Sequence, residues 1–242
     1  MTLFPGGVAL TDLEVYDEAA ADGCRGGTPH LHTASSEGYV VIGGEGAVQT
    51  VSAAGFEEHP LHVGDVLSFS PGTVHRLVNG GDLRLLVVMS NAGLPEAGDA
   101  VFTFPAAVRA DPDAYAVAAA LPDGAGADAA VRARRDLALE GFAELRAGGS
   151  AAFRALHEDA VRIVRHRVPH WQELFDATVA AETARVASQL SALAGGDPGM
   201  LGDAAVARAV PRGGGRRHGM CGMLRTWDWP AGWPRDDGRM GG

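Results

Sequence analysis

Thr28-Pro29-His30-Leu31-His32-Thr33-Ala34-Ser35-Ser36-Glu37, answered further along by Pro71-Gly72-Thr73-Val74-His75, is the pair of stretches on which the fold turns. Side chains of an extended strand alternate between its two faces, so His30 and His32 project to the same side. Glu37 stands at an odd offset from His32, which would turn it away on an unbroken strand. The polar, turn-like run Thr33 to Ser36 instead predicts a hairpin that lets Glu37 open the next strand facing the same interior. Pro71-Gly72 predicts a tight turn that delivers His75 to the start of a further strand. Three neutral imidazoles and a carboxylate meeting in one interior suit a single borderline divalent ion, Fe, Mn, Ni, Co or Zn, with up to two octahedral positions left open.

Around these stretches the chain is cut into short apolar runs: Val8 to Val15, Glu37 to Ile42, Gly46 to Val51, Asp65 to Phe69, Arg76 to Val78 and Leu83 to Met89. Short runs with turn residues between them predict an all-β sandwich or barrel over residues 1–110. Gly43-Gly44 and Gly80-Gly81-Asp82 read as its hairpin turns. After Asp111-Pro112-Asp113 the texture becomes Ala-rich, and apolar residues recur at helical spacing: Val131, Ala138, Phe142 and Leu145; then Phe153, Leu156, Ala160 and Val164; then Leu174, Val179, Val186, Leu190 and Leu193. Residues 111–210 are therefore expected to be helical, with breaks at Gly148-Gly149 and Pro169 and an end at Gly195-Gly196. The apolar faces require cover, from the barrel's outer surface or from a second subunit. Residues 211–242, opening with a glycine-arginine run and carrying Trp227, Trp229 and Trp233, are expected to be a partly disordered tail whose tryptophans dock on the barrel.

The two opening stretches resemble the paired motifs of the cupin superfamily, G-x5-H-x-H-x3-4-E-x6-G and G-x5-P-x-G-x2-H-x3-N. His30, His32, Glu37 and Gly44 fall on the first, and Gly64, Gly72, His75 and Asn79 on the second, in register. Cys24 stands where the first glycine belongs, and Ser70 replaces the proline, with Pro71 one residue later. Neither departure touches a ligand position. The resemblance implies a mainly β class, a jelly-roll barrel followed by a helical extension, with metal ligands His30, His32, Glu37 and His75. It further implies a metal-dependent enzyme for a small oxygen-rich metabolite, either a sugar isomerase or epimerase or a dioxygenase, with Glu37 available as the catalytic base. The alternative is a non-catalytic small-molecule-binding barrel, a sensor. Cupin barrels commonly pair, so the resemblance also implies a homodimer.

Composition sets the remaining limits. With 46% hydrophobic and 21% charged residues the chain is a folding one. A net charge of −10 and arginine clusters without interleaved aromatics argue against nucleic acid as a partner. There is no lysine, so no lysine Schiff base can form. Cys24 and Cys221 make no metal-binding spacing, and no apolar run is long enough for a membrane span, so a reduced cytoplasmic setting is expected. Tyr39 and Val41 share the parity of Glu37 and either line the pocket or fill the core. Arg84 is read as solvated and Gln49 as ambiguous. His59, His62 and the run His157-Glu158-Asp159 are read as surface, and His166 and His170 as interrupted by Pro169. No serine-nucleophile elbow, P-loop or dinucleotide-binding glycine pattern is present.

Overall fold

The computed structural model describes residues 4–230 except Asp123 and Ala125. Its barrel is built from β1 (Ala9–Val15), β2 (His30–His32), β3 (Glu37–Ser52), β4 (Gly55–His62), β5 (Val66–Phe69), β6 (Val74–Met89) and β7 (Ala100–Phe102). All its ladders are antiparallel. The two long strands, β3 and β6, pair along nearly their whole length, from Glu37 opposite Met89 to Val51 opposite Val74. Both pass through two halves of the barrel. In one half they lie in the order β7-β2-β6-β3-β4, and in the other β5-β3-β6-β1.

The glycines expected to make hairpins make corners instead. The β3–β6 register shifts three times between Val41 and Gly46, where the strands bend from one half to the other without ending. Gly44 has φ +67°, and a Cβ there would fall 2.2 Å from the carbonyl oxygen of Asp82; one on Gly46 would fall 2.2 Å from that of Val78. The two backbones approach so closely that only glycine fits, a demand that reads in sequence like a turn. His59, expected in a loop, lies on β4, where its Nε2 is 3.3 Å from the Thr50 hydroxyl; His62 ends that strand, exposed.

Two apolar clusters follow from strand alternation. The inner one gathers Leu13, Val15, Tyr39, Val41, Leu61, Leu77, Leu85, Val87 and Met89. Each such fully buried side chain contributes about 1.5–3 kcal/mol. The outer one joins Leu31, Val51, Val74, Val101 and Phe104 to the helices. After the short α1 (Ala106–Arg109), α2 (Pro112–Ala119) is capped by the Asp111 carboxylate, which accepts from the Asp113 and Ala114 amides. The long α3 (Ala127–Val164) leaves helical geometry at Gly149 (φ 57°, ψ −145°), the expected break. It buries Val131, Ala138, Phe142 and Leu145 before that break and Leu156, Ala160 and Val164 after it. A Cβ on Gly141 would collide with the Thr103 carbonyl, so this helix rides directly on the strand segment beneath. Pro169 sits in the first turn of α4 (Val168–Phe175), which suits its missing N–H. On α5 (Ala181–Ala194) the expected burial of Val186, Leu190 and Leu193 is not found, and all three are about half exposed or more.

The described residues after 209 form short strands, of which one pair joins the barrel sheet and the other makes a two-stranded sheet of its own, where the sequence predicts a partly disordered tail. Strand β8 (Val210–Pro211) pairs with β11 (Trp227–Asp228), and β9 (Arg217–His218) pairs with β10 (Gly222–Arg225). Strand β10 in turn pairs with β1, Leu224 opposite Leu13, and extends the barrel sheet to β6-β1-β10-β9. Arg216 secures the join by reaching Asp12 at 2.8 Å and Glu14 at 2.7 Å. Cys221 packs against Gly27, where a Cβ would lie 2.7 Å from the Cys221 Cα. Trp229 stands 6.3 Å from Phe4, ring to ring. Trp233 lies outside the described residues.

Candidate metal centre

Strand register assembles the site. His30 on β2 lies opposite His75 on β6, and His75 opposite Thr50 on β3. The loop after His32 turns the chain back so that Glu37, the first residue of β3, faces the same interior from the other half of the barrel. One ligand atom from each of His30, His32, Glu37 and His75 lies within 4.8 Å of the others, and all four residues are buried. The ring centroids of His30 and His75 are 4.3 Å apart, and those of His30 and His32 5.2 Å. The spacing of the two opening stretches thus does bring the predicted ligands together.

The outward nitrogen of each ring fixes what the inward one offers. His30 Nδ1 is 2.8 Å from the Thr28 carbonyl, His75 Nδ1 is 3.2 Å from the Thr73 carbonyl, and His32 Nδ1 is 2.7 Å from Asp99 Oδ1. A carbonyl or carboxylate oxygen accepts, so Nδ1 carries the proton in every ring and Nε2 turns to the cluster. Asp99, fully buried, also accepts from the Ser35 amide at 3.0 Å, and so ties His32 to the loop preceding Glu37. This residue was missed in the sequence, where nothing in its spacing marks it.

Charge distribution without an ion is uneven. Burial, reinforced by the neighbouring His75 and His32, holds the His30 imidazole well below its usual range and keeps it neutral. Burial pulls His32 down as well, but the hydrogen bond to Asp99 and the Glu37 carboxylate 3.4 Å from Nε2 win and raise it to about 10. Glu37 resists its own burial because His75 and His32 stabilise its charge, and its carboxyl lies well below the ordinary range. Burial and then the Glu37 charge push the Tyr39 phenol well up, so it remains protonated.

Glu37 Oε2 and His75 Nε2 are 2.8 Å apart, yet their geometry makes no hydrogen bond, and both are buried polar atoms without a partner. Leaving such atoms unsatisfied costs about 1–3 kcal/mol each, and native interiors rarely allow it. A cation between them would satisfy both. Three imidazole nitrogens and a carboxylate oxygen are the donor set of a borderline divalent ion. The residues present fit a metal.

The cluster opens into a cavity of about 860 Å³. Buried Leu13, Met89 and Cys221, with Met220 and Leu224, line it together with the exposed Arg217 and the half-buried Trp227 and Trp229, so the C-terminal segment supplies a large share of its lining. The other singled-out residues lie elsewhere. Tyr39 fills the core against Phe69, ring centroids 5.1 Å apart. Gln49 hydrogen-bonds Glu58, and Arg84 is half exposed and pairs with Asp12 at 3.2 Å. His157 binds the Gly72 carbonyl at 2.9 Å, pinning α3 to the turn before His75, while His166 and His170 are exposed. Among the described residues no helix is long and apolar enough to cross a membrane.

Comparison with known proteins gives the same region. Residues 19–89 match the family model described as Cupin domain. No curated protein matches the chain. Among solved structures, a cupin protein from Bacteroides fragilis is 22% identical at a TM-score of 0.27. That likeness covers 36% of this chain and 65% of the other, less than two thirds of its length. An RmlC-like cupin from Desulfovibrio desulfuricans is 20% identical, with 36% and 76% covered and a TM-score of 0.29. Ectoine synthase from P. lautus is 19% identical, with 42% and 70% covered and a TM-score of 0.31.

Proposed function

We propose, from the match of residues 19–89 to the Cupin domain model and from the buried cluster they contain, that the chain holds one divalent transition-metal ion, Fe, Mn, Ni, Co or Zn, through His30, His32, Glu37 and His75, and uses it as an enzyme on a small molecule bound in the adjoining cavity. The observation that carries this reading is the common orientation of the three rings. Each commits its Nδ1 proton outward and turns its Nε2 toward the cluster that one buried carboxylate completes. When bound, such an ion supplies Lewis-acid polarisation of a substrate oxygen or a platform for dioxygen.

Two features favour a dioxygenase over a sugar isomerase. The cavity wall is largely apolar, with Leu13, Met89, Leu224, Trp227 and Trp229, and the polar groups beyond the metal cluster, among them Thr11, Glu96, Arg212 and Thr226, are a minority of it. An isomerase also needs a base, and Glu37, with its pKa depressed by His75 and His32, is a weak one. Its role in this reading is ligation. The apolar wall excludes water around the ligand, and Asp99 holds His32 in orientation.

Elemental analysis of the purified chain should find about one equivalent of transition metal, and the double variant His30→Ala/His75→Ala should lose it while keeping the far-UV spectrum of the parent. Metal retained in that variant would refute the site. With the metal in place, oxygen consumption with catechols or β-diketones is expected, and anaerobic isomerisation of sugar phosphates is not. The reverse pattern would make it an isomerase.

A further inference from the structure

The cavity has two unlike ends, built from different parts of the chain. Its inner end is the His30, His32, Glu37, His75 cluster, inside the matched residues 19–89, whereas its outer wall, from Ala209 to Trp229, lies wholly outside them. Leu13, Met89, Met220 and Leu224 add apolar surface to the same cavity. In the β9–β10 register Arg217 stands opposite Leu224. Paired residues of adjacent strands project to the same face, so Arg217 leaves its strand on the side of Leu224, toward the cavity it lines.

Arg217 shares the cavity lining with Arg212 and His218, and Arg216 and Arg225 lie nearby, outside that lining. Arg212 pairs with Asp228 at 2.8 Å, Arg216 with Asp12 and Glu14, and His218 with Asp128 at 2.8 Å. Arg217 has no ion pair among the described residues. Glu96, which also lines the cavity, places its charge near Arg212. Of the two arginines that line the cavity, Arg217, which is exposed, is thus the one without an ion pair among the described residues, in a chain whose acidic groups outnumber basic ones 30 to 20. A guanidinium there presents a planar fork of donors suited to a carboxylate.

We propose that Arg217 is the anion anchor of this cavity and that the ligand is a small amphiphilic acid. It would carry oxygen donors for the metal at one end, an apolar body along Leu13, Met89 and Leu224, and a carboxylate at the outer end. A volume of about 860 Å³ is ample for such a molecule. The proposal rests on the metal-site reading above and specifies the substrate class for that same site.

The test uses the metal-loaded full chain and two kinds of probe. One is the series 3,4-dihydroxybenzoate, 3,4-dihydroxyphenylacetate and 3-(3,4-dihydroxyphenyl)propionate, whose catechol suits the metal and whose carboxylate reaches progressively further. The other is neutral 4-methylcatechol. By calorimetry at least one acid should bind about tenfold more tightly than 4-methylcatechol. Arg217→Gln should abolish that preference while leaving metal content and 4-methylcatechol affinity unchanged. If no acid is preferred, or if the preference survives in Arg217→Gln, the anchor is refuted while the metal site stands. Weakening of the neutral probe as well in Arg217→Gln would also refute it, since the residue would then be acting on packing. Absence of metal from the parent chain is the separate result that overturns the function proposed above.

Discussion

Removing the Asp99 carboxylate should weaken metal binding without dismantling the barrel. The side chain has two partners, His32 Nδ1 at 2.7 Å and the Ser35 amide at 3.0 Å. Asp99→Ala leaves both donors buried and unpaired. The charge-assisted bond to His32 is worth about 1.5–3 kcal/mol and the orphaned amide about 1–3 kcal/mol, so a loss of roughly 2–6 kcal/mol in stability is expected. The Asp99 main chain keeps its own anchorage, since its carbonyl accepts from the Thr33 amide and hydroxyl, each at 2.9 Å. The loss therefore falls on the orientation of His32. Such supporting partners typically contribute about 10–100-fold in metal affinity. Asp99→Asn should be intermediate, because its amide oxygen can accept from one donor while its NH2 faces the other. Competition against a chromophoric chelator measures the affinity, and thermal unfolding of the metal-free protein measures the stability. If Asp99→Ala bound metal within about twofold of the parent, the positioning role assigned to Asp99 would be wrong.

Two more outcomes follow from the same geometry. In the metal-free protein His32 keeps its second proton up to about pH 10, so an incoming ion must displace it from Nε2. Between pH 7 and 9 roughly one proton per ion should be released, with apparent affinity rising about tenfold per pH unit; calorimetry in buffers of differing ionisation enthalpy counts the proton, and a count of zero would contradict a protonated His32. Gly27→Ala would drive a Cβ to 2.7 Å from the Cys221 Cα. The expected cost is about 1–3 kcal/mol, with faster tryptic cleavage after Arg216 and Arg217 as β10 loosens from β1; unchanged cleavage would mean that the Gly27 contact does not hold the strand.

The ligand set was legible in the sequence because each of its halves is local. His30, His32 and Glu37 lie within eight residues, His75 follows its own turn, and strand alternation carries the rest. Asp99 was not legible because it meets His32 across 67 residues of chain, a pairing that obeys no period. The strands were found, but Gly43-Gly44 and Gly80-Gly81 were assigned to turns: the positive φ of Gly44 and the backbone crowding at Gly44 and Gly80 demand glycine at a corner as they do at a hairpin. The helical half was visible from its periodicity, which reports amphipathy and says nothing of the partner, so α3 buries its stripe and α5 shows one. The return of residues 217–225 to the sheet was hidden by a glycine-arginine run that has the composition of a linker, and by strands of two to four residues, too short to alternate convincingly.

The pairing of Leu13 with Leu224 also orders events during synthesis. At about 5–20 residues per second, β1 waits on the order of 10–40 s after its own translation for β10 to emerge. Through that interval one border of the nascent sheet has unclaimed amides and carbonyls, an invitation to a neighbouring nascent chain unless a chaperone covers it. His75 has long left the ribosome by then, so the four residues of the candidate metal centre can meet well before the C-terminal part of the cavity lining is made.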